Sequence, residues 1–195
     1  MASYVDLATF KSYLRHELSG LDDVDLQDAL DAATEAINDH CGRTFTVAGS
    51  GSARVYVPTC TPVLFIDDAT TVTAVTVDGA SLTASTDYQK EPLNNLINGQ
   101  TVPFTRLVRL GGHVWDSTTD NLKAAISVTA TWGWAAVPSR VTQACRILAK
   151  EIAEARNQVG GYVDMGEIAA RAVSHPKYGQ LLMRLQRMDR TAGIA

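Results

Sequence analysis

His40 and Cys41 stand side by side, and imidazole and thiolate are the ligands that zinc prefers. Adjacent residues on a helix point about 100° apart, however, and no second pair follows at ligand spacing, so the pair reads as helix-end packing. Asp67 and Asp68 offer two carboxylates, as a cation site or an acid–base pair requires. Placed at the end of a β-branched run, they read better as a strand-ending turn. The stretch "DDVDLQDALD" has the carboxylate density of a calcium loop, yet it lacks the loop glycine and the closing glutamate, and Leu26 and Leu30 demand a helix there. "GSGSA" places a serine between glycines, one letter short of a nucleophile elbow. His16, His113 and His175 are isolated, and the sequence contains no P-loop, GxGxxG or HExxH pattern. The expectation is a protein without catalytic residues, metal or cofactor, and not an enzyme.

Composition narrows the class further. The chain has 195 residues, 46% of them hydrophobic, enough for one sizeable core or one core with a satellite. Its three cysteines, Cys41, Cys60 and Cys145, are odd in number and form no CxxC pair, which points to a reducing compartment rather than a disulfide framework. "MASYVDLATF" has no basic region followed by an apolar run, and no stretch reaches the roughly 20 apolar residues of a membrane span, so the expectation is a soluble, unexported protein.

The net charge of −4 argues against a dedicated nucleic-acid binder, but the charge is unevenly placed. Residues 1–138 hold sixteen acidic and eight basic side chains, and residues 139–195 hold five acidic and nine basic. An acidic face on one copy meeting a basic face on another would fix register in an assembly, and Asp22, Asp23, Asp28 and Asp31 are the candidates for that inter-subunit or channel-facing role. Lys177, Arg184, Arg187 and Arg190 form the best basic region, beside the apolar face of a C-terminal helix.

The elements follow from periodicity. Asp6 can cap a helix over "LATFKSYLRHEL", and Leu26, Leu30, Ala33 and Ile37 stripe a second helix that Gly42 should terminate. From Ala48 the composition turns to Val, Thr, Gly and Pro, giving expected strands at 54–57, 63–66, 72–77, 88–90, 106–110 and 125–132, with Asp78-Gly79 as a hairpin turn. After Pro138 a long helix carries Val141, Cys145, Leu148 and Ile152 on one face, and a last helix begins near Pro176. Trp132, Gly133, Trp134 and Pro138 mark the return to helix: the rings can cover a domain junction, the glycine lets the backbone bend, and the proline delays helix formation. The fold expected is α+β: an α-helical bundle, made of an N-terminal helix hairpin and C-terminal helices, interrupted by an inserted antiparallel β-rich module. The boundaries expected are 1–47 with 135–195 for a discontinuous helical domain, and 48–134 for the insert.

"YVDLATFKSYL", "LQDALDAATEAINDHCGRTF", "DYQKEPLN" and "VTATWGWAAVPSRVTQACRILAKEI", in this order and spacing, resemble the head-to-tail adaptor, or connector, proteins of long-tailed bacteriophages, siphoviruses of actinobacteria above all. The resemblance implies a structural virion protein at the capsid's portal vertex, assembled in the host cytoplasm. It implies a homo-oligomeric ring, usually of twelve copies, that docks on the portal protein and extends the DNA channel toward the stopper or another tail-completion protein. Genomic DNA passes through without sequence-specific binding, and no membrane is involved. A stopper or tail-completion protein is the nearest alternative.

Tyr178, Leu181, Leu182, Arg184 and Leu185 are the candidates for portal binding, in a segment, 162–195, expected to order only on its partner. A different class of function, an aromatic-platform ligand-binding module, would need Trp115, Trp132 and Trp134 exposed.

Overall fold

The first helix, α1 (Leu7–Leu14), starts where the sequence provides a cap: the Asp6 carboxylate accepts the Thr9 backbone N–H at 2.8 Å and the Thr9 hydroxyl at 2.6 Å. It stops at Arg15, which adopts a left-handed conformation, φ 46°. The second helix, α2 (Asp23–Cys41), is capped by Asp22 and ends at left-handed Gly42, whose N–H returns to the carbonyls of Asn38 and Asp39. The computed structural model describes residues 3–15, 20–47, 49–97, 99–117, 125–157 and 176–187. These divide into two compact units, Met1–Phe45 with Val137–Ala195, and Thr46–Ala136.

In the helical unit, α2 packs on α3 (Ser139–Asn157), which also carries the short helix α4 (Pro176–Leu182) and the 3₁₀ turn Met183–Leu185. Small residues at the contact, Ala29 and Ala33 on α2 and Ala144, Ala149 and Ala153 on α3, are buried beside Leu30, Ile37, Leu148 and Ile152. Thr34 satisfies its buried hydroxyl on the Leu30 carbonyl at 2.8 Å and meets the Cys145 sulfur at 3.8 Å. Tyr4 closes the N-terminal end: its hydroxyl donates to the Asn38 side-chain oxygen and accepts the Phe45 N–H at 2.8 Å.

The second unit is built on a six-stranded antiparallel sheet. Its strands are β1 (Ser52–Tyr56), β2 (Val63–Val77), β3 (Ala80–Leu82), β4 (Tyr88–Glu91), β7 (Phe104–Arg109) and β8 (Ile126–Trp132), ordered β1-β8-β2-β7-β4 with β3 paired to β2. A separate hairpin, β5 (Leu96–Ile97) with β6 (Gln100–Thr101), lies between the expected strands at 88–90 and 106–110. Alternate residues Ile126, Val128, Ala130 and Trp132 of β8 face a core with Leu64, Ile66, Val75, Tyr88, Leu107 and Trp115.

The expected architecture, an α-helical bundle interrupted by a β module, is overturned. Of the four helices described, only α2 and α3 are long; α1 has eight residues and α4 seven. The chain is an α+β mix in which the six-stranded sheet dominates. The sheet was underweighted because β2 reads as two short strands broken at Asp67-Asp68. It is instead one fifteen-residue strand that continues through a bulge between Phe65 and Ala69 and pairs with β7 on one side and β8 on the other.

Candidate interaction surfaces

The chemistry-bearing residues are taken up by local structure. Cys41 and Cys145 are buried, and burial pushes both thiols up to about 11, so neither is a ready nucleophile. His40 is half-buried against the Gln186 amide at 2.9 Å. Asp67 receives Arg54 at 2.7 Å and the Tyr56 hydroxyl at 3.3 Å, while Arg54 lies 4.4 Å from the Trp132 ring centroid. Asp68 is buried and accepts the Trp134 indole N–H at 3.0 Å. The two aspartates therefore serve the bulge instead of ending a strand. Among the described residues no group of three or more His, Cys, Asp or Glu could hold a metal ion, and no helix is long and apolar enough to cross a membrane. His113 is exposed; His16 and His175 lie outside the described residues.

The four acidic candidates separate into two kinds. Asp22 is occupied as the α2 cap, accepting the Asp25 N–H at 2.9 Å, and Asp23 pairs with Lys11 of α1. Asp28 and Asp31 stand exposed on the outer face of α2, where Asp31 also accepts the Gln27 amide at 3.1 Å. Glu35 and Asp39, not singled out from the sequence, are exposed on the same face. The signal was present in the spacing: steps of three, four and four residues from Asp28 keep all four carboxylates on one stripe.

The C-terminal candidates are also dispersed. Leu182 is 2% exposed and belongs to the helical core, Leu181 and Leu185 are partly exposed, and the side chains of Tyr178 and Arg184 lie outside the described part. Residues 158–175 and 188–195, including Arg190, lie outside it too. Residues 176–187 are placed against the helical unit. Leu182 is buried, Gln186 meets His40, and the Arg187 N–H donates to the Cys41 carbonyl at 2.9 Å, one of the α2 carbonyls that lack an intrahelical partner.

All three tryptophans are buried, at 0%, 9% and 3% exposure for Trp115, Trp132 and Trp134, so none offers an open face to a ligand. Trp115 donates to the Leu107 carbonyl at 3.2 Å and Trp132 to the Ser52 carbonyl at 2.9 Å. Gly133, at φ 119°, donates its N–H to the Asp68 carbonyl at 2.8 Å. Pro138 is buried at the start of α3, where its carbonyl accepts the N–H groups of Val141 and Thr142.

No protein-family model matches the chain, and no curated protein matches it. Solved structures do. A chain from the neck of an empty gene transfer agent particle, computed with C6 symmetry, is similar with a TM-score of 0.52 at 20% identity, over 95% of this chain and 90% of that one. A chain from the neck of the native particle, computed with C12 symmetry, gives 0.51 at 19% identity, over 93% and 88%. A chain from the virion of the native particle gives 0.50 at 21% identity, over 88% and 91%. The α+β fold described above is therefore shared, nearly end to end, with chains of gene transfer agent particles.

Proposed function

We propose that this chain is a structural component of the neck of a phage-like particle: a head-to-tail adaptor that forms a ring, docks on the portal and extends the DNA channel toward the stopper or tail. The observation that carries this reading is the near end-to-end likeness to chains from gene transfer agent necks. The symmetries of those necks, C12 and C6, agree with a ring, and twelve is the copy number proposed. The adaptor role itself rests on the ordered sequence segments that resemble phage connectors. A ring needs two different complementary surfaces on each copy, because its interfaces run head to tail. The buried tryptophans lend no support to an aromatic platform.

Electron microscopy of the protein mixed with the portal ring from the same virus tests the assignment. The expected result is an added layer with the portal's rotational symmetry. Two folded proteins that give no added layer would remove the adaptor reading.

A further inference from the structure

Strand β1 ends the sheet on one side. It pairs with β8 over five consecutive residues without a bulge and, among the described residues, with no other strand. Every second residue of such a strand turns its N–H and C=O away from its neighbour, a row that another extended backbone can fill. Natural edges are blunted by a bulge, an internal proline, an outward charge or extreme shortness. β1 has none of these: its one charged side chain, Arg54, is drawn over the sheet to Asp67 at 2.7 Å and to the Trp132 ring, while Val55 and, just beyond the strand, Val57 stand 62% and 59% exposed. The other edges are blunted. β3 has three residues; β4 carries Lys90 and Glu91, stops at Pro92, and has its Tyr88 carbonyl taken by the Ser85 N–H at 2.7 Å.

The same unit holds an extended element with the matching lack. Among the described residues the β5–β6 hairpin pairs only with itself, extended by the Val102 N–H on the Asn95 carbonyl at 2.7 Å, and two strands alone are marginal in water. It lies within residues 92–105, which contain no charged side chain, and Leu93 and Leu96 are 66% and 64% exposed. It is rooted between β4 and β7, on the side of the strand order away from β1.

We infer that β1 receives the β5–β6 hairpin of the next copy: a hairpin strand adds to the open sheet edge and sets Leu96 beside Val55. Each element supplies what the other lacks, unpaired main chain next to an exposed apolar side chain, and the hairpin brings no charge into the contact. The two elements belong to opposite sides of one sheet and do not pair within the chain, so the contact runs from copy to copy and is heterologous, as a ring requires. Pairing of β1 with a second β1 would be isologous, closing a pair instead of a ring, and centred on the strand it would set Arg54 against Arg54. The inference rests on the ring reading above and adds to it which elements join neighbouring copies.

Disulfide trapping in the full chain tests it, in a background where exposed Cys60 is replaced by Ser. Val55→Cys and Leu96→Cys are made in separate preparations and mixed under mild oxidation, alone and with the portal ring from the same virus. The expected result is a cross-linked heterodimer in excess of either homodimer, and a ladder of multimers when both substitutions share one chain. In chains without added cysteines, Val55→Lys and Leu96→Glu should each lower ring formation about tenfold, and the two together in one chain should restore it. That rescue separates a lost contact from a misfolded chain. Rings of the unsubstituted chain without the heterodimer would overturn the edge assignment and leave the ring reading standing, as would a cross-link dominated by the Val55→Cys homodimer. Neither rings nor cross-links would overturn both, and rings indifferent to the charged substitutions would overturn the pairing of hairpin with edge.

Discussion

Trp134 donates its indole N–H to the buried carboxylate of Asp68, 3.0 Å away, and the same two residues tie the ends of the β unit together. The Gly133 N–H binds the Asp68 carbonyl at 2.8 Å, the Trp134 N–H binds the Thr46 carbonyl at 2.8 Å, and Val47 bridges to Trp134. The chain's entry to the β unit at Thr46 and Val47, its exit at Trp134 and the β2 bulge are thus held at one place. A carboxylate buried this far must be hydrogen-bonded to be tolerated.

The first prediction concerns that contact. Trp134→Phe removes the donor from Asp68 and puts a smaller ring in the indole's place, and should cost at least about 1–3 kcal/mol, the usual penalty for depriving a buried polar group of its partner, with a packing loss added. Urea unfolding of the two proteins checks it. Removing both partners together, as in Asp68→Ala with Trp134→Phe, should cost less than the sum of the single changes, because residues in contact do not act independently.

The second prediction concerns Tyr4, whose hydroxyl joins Asn38 near the end of α2 to the Phe45 backbone. Its ring also packs edge-on against Phe45, centroids 5.9 Å apart, and Phe keeps that contact. Tyr4→Phe therefore isolates the hydroxyl, with an expected loss of about 1–2 kcal/mol in chemical denaturation. An unchanged midpoint would mean that water replaces the hydroxyl on both partners.

These contacts show where sequence reasoning reaches and where it stops. Asp6, Gly42, Pro138 and Pro176 could be read as boundaries because capping and termination act within a few residues of chain. The continuity of β2 through Asp67-Asp68 could not, because a bulge is paid for by distant partners: Arg54 and Tyr56 from β1 on Asp67, and Trp134 on Asp68. The acidic stripe was legible as composition and as spacing, but its division into capping, paired and outward-facing carboxylates depends on Lys11, which belongs to another helix. Leu182 was assigned to a partner because an amphipathic helix records that one face will be covered without recording by what.

The third prediction is a pH window. Burial holds the His40 imidazole below its ordinary 6.5, so the unfolded chain takes up this proton first as pH falls. Stability from neutral His40 is therefore present above about 6.5 and lost below it. The thiols of Cys41 and Cys145 shift the other way, from 9.0 up to about 11 by burial, so their contribution is full below 9 and is lost as pH rises from there toward 11. The denaturation midpoint should be flat between about pH 7 and 8.5 and fall on both sides. His40→Gln should flatten the limb just below neutrality, and Cys41→Ala with Cys145→Ala the start of the alkaline one, to which Tyr4, Tyr56 and Tyr88, also raised by burial, add above about pH 10. Retention of the near-neutral limb in His40→Gln would assign it to other groups.

The fourth prediction concerns the terminal helix. At seven residues α4 is too short to be helical on its own in water, so its structure depends on what covers it. Leu182 supplies the buried contact, while neighbouring Met183 is 60% exposed. Burial of a leucine contributes about 2–3 kcal/mol, more than so short a helix can replace from within. Leu182→Ala should therefore release residues 176–187 and leave α2 and α3 folded, since the Leu30, Ile37, Leu148 and Ile152 core lies on other elements. Hydrogen exchange resolves the two cases. Fast exchange confined to 176–187, with α2 and α3 still protected, is the expected pattern and makes α4 a unit that can open locally. Loss of protection in α2 and α3 at the same time would make Leu182 part of a single cooperative core, so that no partner could recruit this helix without unfolding the helical unit.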